Sequence, residues 1–399
     1  MQLSHIVHSR HADNQEFEPC SMGMARIRIL HIIGQLGVGG TERQLLGLLS
    51  RMDQARFDST VCYYWRMPDG LEDDFRKAGI RVVFVDKPGQ RLWRFFRDLR
   101  RVVSETSPDI VHTWLPSAGF WGRWAGITCG VRHIIASDRG EIVSERLIDR
   151  ASERLLARRT VRLANSLTVA RTLERAFRLP LERTRIIYNA VDMPRVDRLA
   201  ARREVRTELG LDPRCRLVLT VGRLTPEKNY PMLVRTAAAV CRQRNDVRFL
   251  VAGYGSQLDE VAALVSQAGL DDRLRLLGLR RDVERLLAAA DVFCFTSNSE
   301  GFPNAVLEAM ASGLPVICTS FPSSEEVLSR PGTGVLVPRD DHQAMAREIC
   351  ALLDDGERRM RLWATGRESV LEKFTWGAVV RTMEALYTET ALRIPGSVS

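Results

Sequence analysis

Short apolar runs ending in small or polar residues alternate along this chain with longer stretches whose apolar positions recur every three to four residues. The first run is Ile27 to Ile33, followed by Gly34-Gln-Leu-Gly-Val-Gly-Gly-Thr-Glu42 and the apolar-periodic Gln44 to Leu49. That order predicts strand, glycine loop and helix. Arg91 to Val103 then places Leu92, Phe95, Phe96, Leu99, Val102 and Val103 on one helical face with Arg91, Arg94, Arg97 and Arg101 around it. Behind it, Pro108-Asp-Ile-Val-His-Thr113 marks a strand carrying His112, with Trp114 next. A helix near Ser117 to Cys129, a strand from Arg132 to Gly140 that ends in polar residues, and a basic helix from Glu145 to Arg159 continue the series. After a charged helix at 195–210, strands are expected at Leu217 to Val221, Phe249 to Gly253, Leu274 to Leu279 and Ala290 to Thr296. Strands alternating with helices predict an α/β protein with parallel sheets.

One stretch stands out for chemistry. Glu300-Gly-Phe-Pro-Asn-Ala-Val-Leu-Glu308 runs into Ala309-Met-Ala-Ser-Gly-Leu-Pro-Val316 directly after the Ala290 to Thr296 strand. Pro303 suits a first helical position, and Gly313 followed by Pro315 reads as the stop, so a helix of about three turns is expected. Free N–H groups at such a helix start favour a phosphate. Glu300 lies just outside that anion site, while Glu308 leans back toward it because side chains tilt toward the helix N-terminus. Carboxylates beside a phosphate accept hydrogen bonds from hydroxyls, and a phosphate between two polyols describes a nucleotide sugar. The plain alternative is a solvent-facing Glu308 and a loop charge at Glu300.

Length and composition set bounds. At 399 residues, with 45% hydrophobic and 27% charged residues, the chain has room for two or three globular domains. No apolar stretch approaches the ~18–20 residues that span a bilayer, and the start lacks the order of a secretory signal, so a cytoplasmic protein is expected. The eight cysteines include no Cys-x-x-Cys pair and read as reduced core thiols. Net charge is uneven: residues 26–190 carry 29 Lys+Arg against 18 Asp+Glu, or +11, whereas 191–399 carry 28 of each. Such a basic half attracts an anionic membrane or a phosphorylated acceptor. Nucleic acid is not expected, since aromatic-interleaved basic motifs are missing from the sequence. Residues 1–25 are polar and unpatterned despite His5, His8 and His11, and predict a disordered tail.

Residues 300–316 resemble the Glu-x7-Glu signature of retaining GT-B glycosyltransferases, specifically the family-four group that uses nucleotide-diphosphate sugars. Similar blocks recur from about residue 26 to about 390. The resemblance implies two Rossmann-like domains facing a cleft, an acceptor domain at 26–190 and a donor domain at 191–373. A closing helix within 374–399, carrying Phe374, Trp376, Val380 and Tyr387, would cross back to the first domain. It implies that Gly39, Gly40 and Glu42 close the cleft near donor and acceptor, although Glu42 stands where a dinucleotide fingerprint has its third glycine. The loop Gly222 to Asn229 resembles the family's phosphate grip, with Arg223 and Lys228 neutralising the departing diphosphate without a metal. No Asp-x-Asp occurs in the chain. Gly278 and Leu279 would lie beside the base, and Gly301, Phe302, Pro303, Asn304 and Glu308 would hold the donor. Glu300 would stand by the reacting sugar. Where many relatives carry a sugar-binding His, this chain has Arg139 next to Asp138; the two are candidates for that role or for pairing with each other. Ile186 to Pro194 resembles the segment joining the domains.

The expected activity is therefore retaining, metal-independent transfer from a nucleotide sugar to a lipid-linked or saccharide acceptor, in cell-surface polysaccharide or glycolipid synthesis. A nucleotide-sugar epimerase of the same fold and a soluble transferase with a small-molecule acceptor are the alternatives. The Arg-flanked helix around Trp93 has two readings, a cover for the sheet or a contact with anionic lipid, and the second makes the protein peripheral on the inner face of the plasma membrane.

Overall fold

The computed structural model describes residues 26–392 apart from 69, 88, 90, 141–146 and 179. The expected tail at 1–25, with its three histidines, and the last residues after the closing helix lie outside the described residues.

Two parallel sheets organise the chain. The first contains β1 (Ile27–Gln35), β2 (Phe57–Trp65), β3 (Arg81–Phe84), β4 (Ile110–Trp114), β5 (His133–Asp138), β6 (Val161–Ala164) and β7 (Thr184–Ile186), in the order β3-β2-β1-β4-β5-β6-β7. The second contains β8 (Arg216–Val221), β9 (Val247–Ala252), β10 (Leu274–Leu276), β11 (Val292–Phe295), β12 (Val316–Thr319) and β13 (Val335–Val337), in the order β10-β9-β8-β11-β12-β13. In each sheet the order reverses beside the first strand of its unit. That reversal opens a crevice at the carboxyl ends of β1 and β4, and of β8 and β11, where α/β sheets bind ligands. The architecture is two Rossmann-like domains in the GT-B arrangement.

Both faces of each sheet are covered, which explains why the strands read as unbroken apolar runs. From β1, Ile29 and Ile33 enter one cluster with Leu45, Leu48 and Leu49 of the helix Gly40–Leu49, while Leu30 and Ile32 enter another with Phe95, Leu99 and Val102. The helix Leu92–Thr106 thus covers the sheet, as one reading had it, but with a narrower face than expected. Leu92 and Trp93 remain 57% and 56% exposed, while Phe95 in the same turn is fully buried.

The closing helix Trp376–Leu392 crosses back to the first domain. Val379, Val380, Met383, Leu386 and Tyr387 join the β1-side core, and Val191 N donates to Phe374 O at 2.9 Å where the chain passes between domains. A Cβ on Gly47 would fall 2.3 Å from the Trp376 ring, so the helices approach here only because Gly47 has no side chain.

Several expected boundaries shift. The helix after Glu300 spans only Asn304–Ala311, about two turns and not three; Pro303 flanks it in a non-helical conformation and Gly313, at φ +68°, ends it. The charged helix is Arg198–Glu208, capped by the Asp197 carboxylate, which accepts from Leu199 N at 2.8 Å. The basic helix is Leu147–Ala157. β10 stops at Leu276, since Gly278 turns the chain at φ +66° and leaves Leu279 65% exposed.

Candidate active site

The reversal between β8 and β11 brings two loops together, 222–229 and 296–303. Thr296 Oγ1 donates to Lys228 O at 2.9 Å, Ser297 Oγ to Glu227 O at 3.0 Å, and Asn298 N to Glu227 O at 2.8 Å. Within this frame Lys228 forms an ion pair with Glu300, both side chains being largely covered, and Ser297 Oγ lies 2.9 Å from the same carboxylate oxygen, within hydrogen-bond reach of it as well as of Glu227 O. Ser323 Oγ holds the Glu300 carbonyl at 2.6 Å, and the Lys228 ammonium lies 5.0 Å from the centre of the Phe295 ring. Arg223 behaves differently. Its side chain is 76% exposed on the rim and reaches Glu227 at 3.7 Å, so one predicted cation is locked and the other is free to swing.

Across the crevice, the loop after β1 bends the Glu42 carboxylate back over Gly39: a Cβ there would fall 2.2 Å from Glu42 Oε2. Glu42 is buried, and burial raises its carboxyl above the usual range while its own backbone N–H, Gln35 and Arg223 counteract part of the shift. A Cβ on Gly40 would fall 3.0 Å from Asn304 Nδ2, and one on Gly301 would fall 2.4 Å from Arg139 O and 2.9 Å from Gly140 Cα. The first domain therefore touches the start of the helix Asn304–Ala311 on two sides.

Asp138 ends β5 and Arg139 follows it, but the two do not pair. Asp138 accepts from Arg162 Nη2 at 3.1 Å, and Arg139 Nη1 donates to Asn189 Oδ1 at 2.6 Å, with its guanidinium 4.5 Å from the Trp114 ring centre. The strand ends between them, so these neighbours in sequence serve different sites. Burial pulls the Arg139 guanidinium down to about 10. Asn189 Nδ2 in turn donates to Asn304 Oδ1 at 2.7 Å, completing a chain from the first domain to the helix start. His112 lies inside β4, on the strand expected to carry it, and is fully buried, bridging Tyr387 Oη at 2.7 Å and Ser137 Oγ at 2.8 Å.

Glu308 lines a different part of the crevice. With Arg43, Gln44 and Asp192 it borders a cavity of about 740 Å³ between the domains. Burial pushes its carboxyl up to about 7, with Arg43 opposing and Glu284 reinforcing the shift. Gly278 and Leu279 are not among the walls of that cavity. Phe302 also departs from expectation: it is buried in the core, 5.7 Å from the Tyr188 ring and 5.9 Å from Phe374, and supports the loop from beneath. Pro303 is likewise buried.

Residues that sequence reasoning passed over include Asn189, Ser297, Ser323 and Glu326. The Glu326 carboxylate caps the helix Leu167–Phe177 of the other domain, accepting from Leu167 N at 2.8 Å and Thr168 N at 3.4 Å. Ser297 had a signal in the small polar Thr296-Ser-Asn-Ser299 end of its strand. Glu326 had none, since its partner lies about 160 residues away.

Residues 38–195 match Glycosyltransferase Family 4, and residues 201–369 match Glycosyl transferases group 1. The chain belongs to this family of glycosyltransferases. The enzyme is 26% identical over 351 residues to a UDP-Gal:alpha-D-GlcNAc-diphosphoundecaprenol alpha-1,3-galactosyltransferase of Escherichia coli, an alignment covering 83% of this chain and 89% of that one. It is 29% identical over 198 residues to a Campylobacter jejuni N-acetylgalactosamine-N,N'-diacetylbacillosaminyl-diphospho-undecaprenol 4-alpha-N-acetylgalactosaminyltransferase. There the match covers 49% of this chain and 52% of the relative, about half of each. Among solved structures, HepE of Anabaena in complex with UDP and glucose superposes with a TM-score of 0.80 at 19% identity, covering 91% of this glycosyltransferase and all of HepE. That likeness establishes the shared fold.

Proposed function

We propose that this glycosyltransferase moves a sugar, with retention of anomeric configuration and without a metal ion, from a nucleotide-diphosphate sugar to a lipid-linked or saccharide acceptor. The product would belong to cell-surface polysaccharide or glycolipid synthesis. The observation that carries this reading is the convergence of Arg223, the Lys228–Glu300 pair and the N-terminus of the helix Asn304–Ala311 at the reversal of the second sheet. As the bond from C1 to the diphosphate breaks and a bond from C1 to the acceptor oxygen forms, negative charge gathers on the leaving phosphates. The positive end of the helix dipole and two cations then stabilise the departing group more than they stabilise the intact donor. Glu300 would orient Lys228 and accept from a sugar hydroxyl, and Glu308 would accept from the ribose. The acceptor class is supported by relatives whose names specify diphospho-undecaprenol substrates.

The same reading places the first domain on the cytoplasmic face of an anionic membrane. No helix among the described residues is long and apolar enough to cross a membrane. Instead, Val38, Trp65, Met67, Leu92 and Trp93 are exposed near the carboxyl ends of β1–β3. Cations stand among them: Arg94 and Arg97 lie 5.2 and 5.7 Å from the Trp93 ring centre, and Lys87 lies 6.0 Å from that of Trp65. Apolar rings interleaved with basic side chains suit the headgroup region of a bilayer.

Incubation with a panel of nucleotide sugars and undecaprenyl-diphosphate saccharides, with and without chelator, tests the proposal. The expected result is free nucleoside diphosphate and a new glycoside whose anomeric proton coupling matches that of the donor. An inverted product overturns retention, loss of activity on chelation overturns metal independence, and an isomerised donor formed without acceptor shows an epimerase.

A further inference from the structure

The backbone at Glu300 and Gly301 is gripped from both domains. Ser323, in the second domain, donates its hydroxyl hydrogen to Glu300 O at 2.6 Å, and Ser166, just after β6 in the first domain, donates to Gly301 O at 2.7 Å. Both serines are fully buried. Ser166 is also the N-cap of the helix Leu167–Phe177, where its Oγ accepts from Val169 N at 3.0 Å. Its single hydrogen is thus committed to the other domain and a lone pair to its own helix. The Glu326 carboxylate accepts from Leu167 N and Thr168 N at the same helix end. Of the three leading N–H groups, which no helix can satisfy internally, two are therefore paired with the second domain. The backbone of the first domain closes in as well, since a Cβ on Gly301 would fall 2.4 Å from Arg139 O.

We propose that Ser166 is a positioning residue for Glu300, and that its hydrogen bond to the Gly301 carbonyl makes the Lys228–Glu300 pair depend on the seating of the first domain against the second. The inference rests on the glycosyltransferase reading above and adds to it a link from the acceptor domain to the donor-site pair. Glycine is the least restrained of residues, so the torsions of Gly301 are fixed only by what holds the peptide planes on either side of it. Ser323 holds the first plane and Ser166 the second. Parting the domains removes Ser166 and returns its hydroxyl and the Gly301 carbonyl to water, a small net cost that lets the contact form and break. With one plane released, the segment carrying Glu300 gains freedom, and the carboxylate that meets Lys228 and Ser297 loses its fixed origin. Small misplacements of a positioned group are costly to the rate of reaction. Because Ser166 grips a carbonyl of the protein and no ligand, its removal should act on turnover and leave donor affinity in place.

The test uses the full chain, isotopically labelled at Cε of lysine and observed by NMR. The chain has four lysines, Lys77, Lys87, Lys228 and Lys373, and Lys228→Arg identifies the Lys228 signal by its disappearance. The Lys228 ammonium lies 5.0 Å from the centre of the Phe295 ring, so a displacement changes the ring's effect on that signal. Ser166→Ala is expected to move the Lys228 signal, and Ser166→Gly, which at an N-cap costs the helix little, should move it too. Ser166→Thr keeps the hydroxyl and should restore the parent signal. With a nucleotide sugar and acceptor that the parent uses, the first two variants should lower kcat about tenfold, the scale of one neutral hydrogen bond, with donor affinity within about threefold of the parent. Added to Glu300→Gln, Ser166→Ala should cost no more than about twofold further in turnover, because its effect runs through Glu300. Thermal melting shows which variants are folded. An unmoved Lys228 signal in folded Ser166→Ala and Ser166→Gly overturns the proposal. So does a loss from Ser166→Ala that persists undiminished in the Glu300→Gln background, which would mean that Ser166 only holds the domains together. If the parent transfers sugar from no nucleotide sugar, the donor reading fails separately, while the Lys228 signal still decides the role of Ser166.

Discussion

The Lys228 ammonium and the Glu300 carboxylate are joined in an ion pair at the base of the crevice, and Ser297 Oγ lies 2.9 Å from the same carboxylate oxygen. A cation fixed in this way needs no reorganisation when charge develops on a leaving diphosphate. Lys228→Ala should therefore lower kcat by about 10²- to 10³-fold, roughly 2.7–4 kcal/mol, as loss of one oxyanion donor does elsewhere. Glu300→Gln should also depress turnover, and the double variant should cost less than the sum because each residue restrains the other. Arg223→Ala should impair catalysis by a comparable amount once Arg223 swings onto the diphosphate. Steady-state rates at saturating donor check all four, and a Lys228→Ala enzyme with undiminished turnover contradicts the assigned role.

Glu308 gives a pH signature. Its folded carboxyl titrates near 7, above the ordinary 4.5, so the folded ligand-free protein binds more protons than the unfolded chain between those values. The stabilisation from the neutral form is complete below about 4.5 and is lost as pH rises toward 7. Glu308→Gln, which cannot ionise, should remove this slope and melt higher than the parent at pH 8, by on the order of 1–3 kcal/mol. Nucleotide affinity should move the opposite way, strengthening through pH 7 as the carboxylate forms and accepts from the ribose. Melting curves and nucleotide titrations from pH 5 to 8 decide; equal slopes in parent and variant would remove Glu308 from both effects.

Gly301 touches the other domain with no room for a methyl group, its missing Cβ lying 2.4 Å from Arg139 O. Gly301→Ala should force the domains apart, lowering kcat/KM at least tenfold while shifting the melting temperature by only a few degrees, since the contact is between domains and not within a core. Small-angle scattering should show a longer molecule. A variant with normal kinetics would mean that productive closure does not use this contact.

The basic face around Trp93 predicts lipid binding that grows with anionic lipid content and falls with salt. Each arginine near such a surface contributes about 1 kcal/mol, so Arg94→Glu, Arg97→Glu and Arg101→Glu together should release the protein from vesicles in sedimentation. Attachment that ignores lipid charge or survives the triple reversal would point to a soluble acceptor.

Much of the fold was legible in the sequence because a parallel strand covered on both faces must be an apolar run, and its covering helices must show apolar residues every three to four positions. The order β1, glycine loop, helix and the stretch from Glu300 to Val316 declared themselves in this way, as did the basic charge of the first half. Local patterns failed where tertiary geometry overrode propensity. Pro303 fell outside its helix, Phe302 went into the core, and Leu92 was left without a surface to cover. Asp138 and Arg139, adjacent in sequence but on either side of the end of β5, have different partners, Arg162 and Asn189. The contacts that unite the domains, Asn189 with Asn304, Glu326 with the helix at Leu167 and Tyr387 with His112, join positions more than a hundred residues apart. The sequence determined the strands, the helices and the residue types at their ends, since those depend on near neighbours. Which ends face one another, and so which side chains share a cavity, was decided only by the packing of two sheets and one returning helix.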